Sequence, residues 1–224
     1  MRAPLTHPSP KTTAIAGLVA LAVAMGIGRF AFTPILPMMQ DDAHLSVAAG
    51  GWLASANYLG YLLGALAALR TRVPASMAIR GGLAAIGVAT LAMGATQDFT
   101  AWLLLRAAAG IASAWVLIFV SAWSLERLAF SPRPQLASVV FAGVGAGIAL
   151  AGALCLALMR ARSSSSDAWM VFGALALVLA AAVWPAFGRA GPPPCAIRPC
   201  CVLRNTLSSA HDSIVPAQGA GQVL

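Results

Sequence analysis

Six long apolar runs follow one another along this 224-residue chain, each close to or above the ~20 residues that carry a helix across a bilayer. They cover Thr12–Met39, Val47–Leu69, Ala78–Thr96, Thr100–Arg127, Gln135–Arg160 and Ala168–Phe187. Hydrocarbon offers a backbone no water to bond, which leaves helices and closed barrels as the spanning structures. The runs are continuous and do not alternate every second residue, so helices are expected. The breaks between them are short: Gln40–Ser46, Arg70–Met77, Gln97–Phe99, Leu128–Pro134 and Ala161–Asp167. Connections of this length make consecutive helices antiparallel. The expected fold class is therefore all-α, a polytopic membrane protein with a six-helix transmembrane domain over residues 12–187. An N-terminal segment (1–11) precedes it and a tail (188–224) follows.

Composition agrees with this class. Hydrophobic residues make up 60% of the chain and charged residues 9%, where a soluble domain carries roughly 25% charged. The formal net charge of +8 does not point to nucleic acid, because the basic residues sit at the edges of apolar runs and form no continuous patch. They serve orientation instead. Arg2 and Lys11 precede the first run, Arg70, Arg72 and Arg80 surround the second break, and Arg127 and Arg133 flank the fourth. The first break carries Asp41 and Asp42, and the third only Asp98. Positive segments stay cytoplasmic, so both termini are expected there. Arg160 and Arg162 at the fifth break run against this topology, and the other loops outvote them.

The sequence Ala22-Val23-Ala24 resembles a signal-peptide cleavage site, but the apolar core continues through Met25, Ile27, Phe30, Phe32 and Ile35. A signal peptide ends its short core at the site, so a retained helix is expected. From Arg189 to Leu224 the chain holds Gly191-Pro192-Pro193-Pro194, scattered Ser and Ala, and no helical or strand period. Such a segment cannot bury enough apolar surface to offset its ordering entropy, and a disordered cytoplasmic tail is expected. Cys155, Cys195, Cys200 and Cys201 lack the spacing of a disulfide framework or a zinc site. No metal and no cofactor are expected. A six-span intramembrane enzyme would need a buried Ser–His pair or a metal site, yet His7, His44 and His211 all lie outside the runs. No catalytic residue is assigned.

Two charges break the apolar pattern. Arg29 sits inside the first run and Arg106 inside the fourth, while no Asp or Glu lies within any span; Glu126 falls at a helix end. A charge in hydrocarbon costs between ~3 and ~15 kcal/mol, so such residues usually face a bundle interior or a wet cavity. Arg29 lies ~18 Å of helix rise from Asp41, and Arg106 lies ~12 Å from Asp98, which places both at comparable depth in the outer half of the membrane. Snorkelling to the surface is the alternative reading for each. Pro34 and Pro37 are expected to break or kink the outer end of the first helix.

The second run places Asn57, Gly60, Tyr61 and Gly64 at helical spacing on one face. Small residues let helices approach closely and Asn or Tyr can bond across an interface, so the stripe is either a packing seam or the polar wall of a cavity. Arg29, Asn57, Tyr61 and Arg106 are the candidate cavity residues. The fifth run carries Gly143, Gly145, Gly147 and Gly152, with Gly143 and Gly147 at the GxxxG spacing of tight helix packing. Gly26, Gly28, Gly60, Gly64 and Gly110 are further packing candidates.

Six spans, the fourth-span string Arg106-Ala107-Ala108-Ala109-Gly110 and the glycine-rich fifth span resemble the N-terminal half of a major facilitator superfamily (MFS) transporter. The strings GIGRFAFTPILP (residues 26–37) and GWLASANYLGYLLGA (residues 51–65) are similar to the bacterial YbfB/YjiJ-like branch. Arg106 and Gly110 match the family's fourth-helix motif, and Arg29 the branch's first-helix arginine. The resemblance implies secondary transport of a small solute across a bacterial inner membrane, by alternating access between two six-helix halves. It also implies a partner half, either a second copy in a homodimer or a missing second half, as in a truncated or frame-shifted chain. Two departures stand out. Ala68 occupies the acidic position of the superfamily's signature between helices two and three, and the fifth helix lacks the Gly-Pro of the antiporter motif. Two arginines without an internal counter-charge suggest an anionic cargo, or carboxylates on the partner half. The alternative is a membrane interaction protein, or inactive truncated product, that transports nothing.

Overall fold

The computed structural model describes residues 9–129, 131–133 and 135–188. Six helices in it are long and apolar enough to cross a membrane: α1 (Pro10–Asp42), α2 (Val47–Arg70), α3 (Ala75–Ala95), α4 (Phe99–Ala129), α5 (Leu136–Arg160) and α6 (Ser165–Phe187). Among the described residues there is no strand. The chain is a multi-pass membrane protein. The expected N-terminal segment and tail lie almost wholly outside the described residues, as do Cys195, Cys200 and Cys201.

The spans begin and end within a few residues of the apolar runs, and the differences have local causes. α6 starts at Ser165 because Ser164 and Asp167 form a capping box, each side chain bonding the other's backbone amide. α2 starts after Ser46, whose hydroxyl accepts from the Ala49 amide, and in α4 an Asp98 carboxylate oxygen accepts from Ala101 at 2.6 Å. Asp42, at the end of α1, accepts from the amide and the hydroxyl of Ser165, so the end of one helix caps the start of another.

α1 forms the centre of the bundle and packs on α3, α4, α5 and α6. α2 packs on α4, and α3 on α4 and α6. The large apolar side chains left exposed, among them Trp52, Leu59 and Leu63 of α2 and Phe141 and Leu156 of α5, form the outward face that lipid or a partner would cover.

Two seams of small residues set the helix spacing. Across α1 and α5, a Cβ added at Gly143 would meet the backbone of Leu18, one at Gly147 that of Ala22, and one at Gly26 that of Gly147. Across α2 and α4, Gly60 lies on Ala107, Gly64 on Ile111 and Gly110 on Asn57. Each of these added atoms would sit under 3.0 Å from main chain, so the crossings exist only because the side chains are absent. Gly28 packs differently, against the Ser113 hydroxyl and Ile86. Gly145 and Gly152 face open space.

The expected proline break in α1 is corrected. Phe32–Asp42 is regular α-helix with Pro37 inside it, and the irregular stretch lies upstream, where Ala22–Phe30 is π-helical. Pro34 falls in the first turn of the resumed α-helix, where a missing amide hydrogen is tolerated. The amide that Pro34 lacks would have met the carbonyl of Phe30, the last residue of that stretch.

Candidate functional site

The π-helical stretch leaves main-chain acceptors over. The Ile35 amide donates to the Ala31 carbonyl, and Pro34 donates to nothing. Only the amides of Phe32 and Thr33 then remain for the carbonyls of Ile27, Gly28, Arg29 and Phe30, so acceptors outnumber donors within the helix. Side chains from two other helices supply the difference. Asn57 on α2 donates through Nδ2 to the carbonyl of Gly28 at 3.3 Å and to that of Arg106 at 2.9 Å. Arg106 on α4 donates through Nη2 to the carbonyl of Arg29 at 3.4 Å. Polar groups at membrane depth need partners, and here the distortion of α1 provides them.

This knot gathers all four candidate cavity residues. Asn57 and Arg106 are buried, at 2% and 3% exposure, while Arg29 and Tyr61 are half-buried. The guanidinium carbon of Arg29 stands 4.0 Å from the ring centre of Tyr61, 5.0 Å from Tyr58 and 5.7 Å from Phe30. That of Arg106 stands 4.6 Å from the ring centre of Phe32. Cation–π contacts of this kind replace part of the lost hydration of a desolvated guanidinium. They do not neutralise it. Among the described residues neither arginine has a carboxylate partner, and Nε of both arginines is buried with no hydrogen bond.

A cavity of about 30 Å³ lies between them, lined by Arg29, Phe30, Phe32, Thr33, Ala54, Asn57, Tyr58 and Arg106. It has room for a water molecule or two, or the charged head of a small ligand. Tyr58 is 57% exposed, so one side of the site opens away from the bundle. Thr33, Tyr58 and the two phenylalanines were not singled out by sequence reasoning. Phe30 adjoins Arg29 and Tyr58 lies three residues before Tyr61, but only the rotation of each helix puts these rings on the guanidinium faces.

A larger cavity of about 440 Å³ lies between α3 and α4, lined by Val73, Met77, Gly81, Ala85, Ile111 and Trp115 among others. No charged group lines it, and the Trp115 indole nitrogen is already bonded to the Gly64 carbonyl. Its lining is almost wholly apolar, whereas the smaller site brings together two arginines, Asn57, Thr33 and Tyr58. No group of residues able to hold a metal ion occurs among the described residues.

Comparison with known proteins points the same way. A family model described as uncharacterised MFS-type transporter YbfB matches residues 21–201. An uncharacterised MFS-type transporter of Bacillus subtilis (strain 168), YceJ, is 37% identical over 94 residues, which is 41% of this chain. The matched stretch covers 24% of YceJ, so the chain spans well under two thirds of that relative.

Proposed function

We propose a function from one premise: the chain belongs to the YbfB family of uncharacterised MFS-type transporters. On this reading it moves a small anionic solute across a bacterial inner membrane, both termini cytoplasmic. A partner six-helix half, from a second copy or another chain, closes the site from the side that Tyr58 leaves open, and the two halves rock to expose it alternately. Solute binds against α1, α2 and α4, where Arg29 and Arg106 supply positive potential and Asn57 and Tyr61 hold them in place.

One observation carries this reading. Arg106 is almost fully buried beside Arg29 with its Nε unpartnered, and no carboxylate among the described residues compensates either charge. Burying Arg106 and half-burying Arg29 is costly, and a structure that keeps both charges is poised to lower that cost when an anion arrives.

The test is uptake into proteoliposomes holding the full chain, with labelled organic and inorganic anions set against neutral analogues of similar size. Anion-selective, saturable uptake that falls at least about tenfold in Arg29→Ala and in Arg106→Ala is expected. Uptake that ignores solute charge, or that is unchanged in both variants, overturns the reading.

A further inference from the structure

The arginine pair is built for one shape of anion. The Arg29 guanidinium lies over the Tyr61 ring with Tyr58 and Phe30 further off, and that of Arg106 lies over Phe32. A guanidinium donates only through the N–H groups in its plane. Arg106 has already committed Nη2 to a main-chain carbonyl and the Nε of each arginine is buried, so the terminal Nη groups of Arg29 and Nη1 of Arg106 are left to meet a solute. Both arginines line the same 30 Å³ space. A guanidinium edge matches the two oxygens of a planar carboxylate, which accepts it bidentately. A tetrahedral oxyanion needs donors around all its oxygens. Here the remaining wall is Phe30, Phe32, Ala54 and the Tyr58 ring, with the Thr33 and Tyr58 hydroxyls the other side-chain donors, because the Asn57 amide donates to two carbonyls.

The same wall selects the rest of the ligand. A head filling the polar end directs its body past Phe30 and Tyr58 towards the open side. A second carboxylate there would lie along aromatic rings with no further cation among the lining residues to pair with it. We propose that the solute of this site is an organic monocarboxylate with an apolar or aromatic body, gripped through the guanidinium edges of Arg29 and Arg106. This narrows the anion-transport reading and rests on it.

Benzoate is the probe, titrated by calorimetry against the full chain in lipid nanodiscs, with benzamide, acetate, succinate and sulfate beside it. Benzoate is expected to saturate the site, benzamide to leave it empty, and acetate, succinate and sulfate to bind at least about tenfold more weakly. Arg29→Lys keeps the charge and removes the planar edge, so benzoate should weaken about tenfold or more. Tyr58→Ala should weaken benzoate and spare acetate. Succinate or sulfate matching benzoate, unchanged benzoate affinity in Arg29→Lys, or equal losses for acetate and benzoate in Tyr58→Ala would each overturn the monocarboxylate assignment while leaving an anion site. Benzamide binding as well as benzoate, or no anion binding at all, overturns the anion reading with it.

Discussion

Arg106 donates through Nη2 to the main-chain oxygen of Arg29 at 3.4 Å, so one intramembrane cation is anchored on the backbone that carries the other. Like charges are thereby held at one site by a contact that neutralises neither. The contact exists because α1 leaves its Ala22–Phe30 stretch short of amide donors, and wide helical turns of this kind occur often at functional sites. Geometry of the chain and chemistry of the site are thus the same feature.

Asn57 is expected to act on stability before it acts on solute. Its Nδ2 closes two carbonyls on different helices, and its side chain is 2% exposed. Asn57→Ala orphans both acceptors, and we expect a loss of roughly 1–2 kcal/mol, a range in which interhelical hydrogen bonds in membranes fall. Thermal unfolding in detergent reads it. A midpoint equal to the wild type would show that the bridge contributes nothing.

The glycines of α5 divide into two groups that one set of variants can separate. Gly143→Ala and Gly147→Ala place a methyl against the backbone of α1 and force the crossing apart, at ~1–3 kcal/mol each. Gly145→Ala and Gly152→Ala meet nothing within 4 Å and gain helix propensity, so they should be neutral or stabilising by up to ~1 kcal/mol. Equal losses at all four positions would refute the seam.

Much of this was legible beforehand, for identifiable reasons. The six spans follow from runs of apolar residues too long for anything else, and Arg29 and Arg106 stand out as charges inside them. The start of α6 was missed because Ser165, Ser166 and Asp167 read as loop, although the Ser164–Asp167 capping pair marks a helix start. The π-helical stretch has no periodic signature, and Pro34 and Pro37 drew attention to the wrong residues. The rings around the arginines depend on helix rotation about the small-residue seams, which spacing along one helix does not determine.

Asp42 links the two ends that a short-range reading keeps apart. Its carboxylate accepts from the Ser165 amide and, at 2.8 Å, from the Ser165 hydroxyl. A carboxylate at a helix N-terminus contributes about 1 kcal/mol through capping and the helix dipole. Asp42→Ala should raise hydrogen exchange at the first amides of α6, and Asp42→Asn, which keeps an acceptor oxygen, should raise it less. Exchange unchanged in the alanine variant would mean that the Ser164–Asp167 box holds this end alone.

Pro34→Ala tests whether a missing donor builds the site. The substitution adds an amide where the carbonyls of Ile27 to Phe30 are in excess, and it removes the proline ring from the start of the resumed α-helix. The new donor can bond the Phe30 carbonyl or compete with Arg106 Nη2 for that of Arg29. If the α register then spreads back through Phe30, Arg29 turns about the helix axis and leaves Tyr61. Stability should hold or rise by a fraction of the ~3 kcal/mol that an interior proline costs. Anion affinity should fall, because Arg29 and Arg106 no longer line one cavity. A variant both more stable and weaker in binding is the expected pair of results, read by thermal unfolding and by anion titration on the same sample. Unchanged affinity would show that seam packing at Gly26 and Gly147, and not the proline, holds α1 in its wide turns.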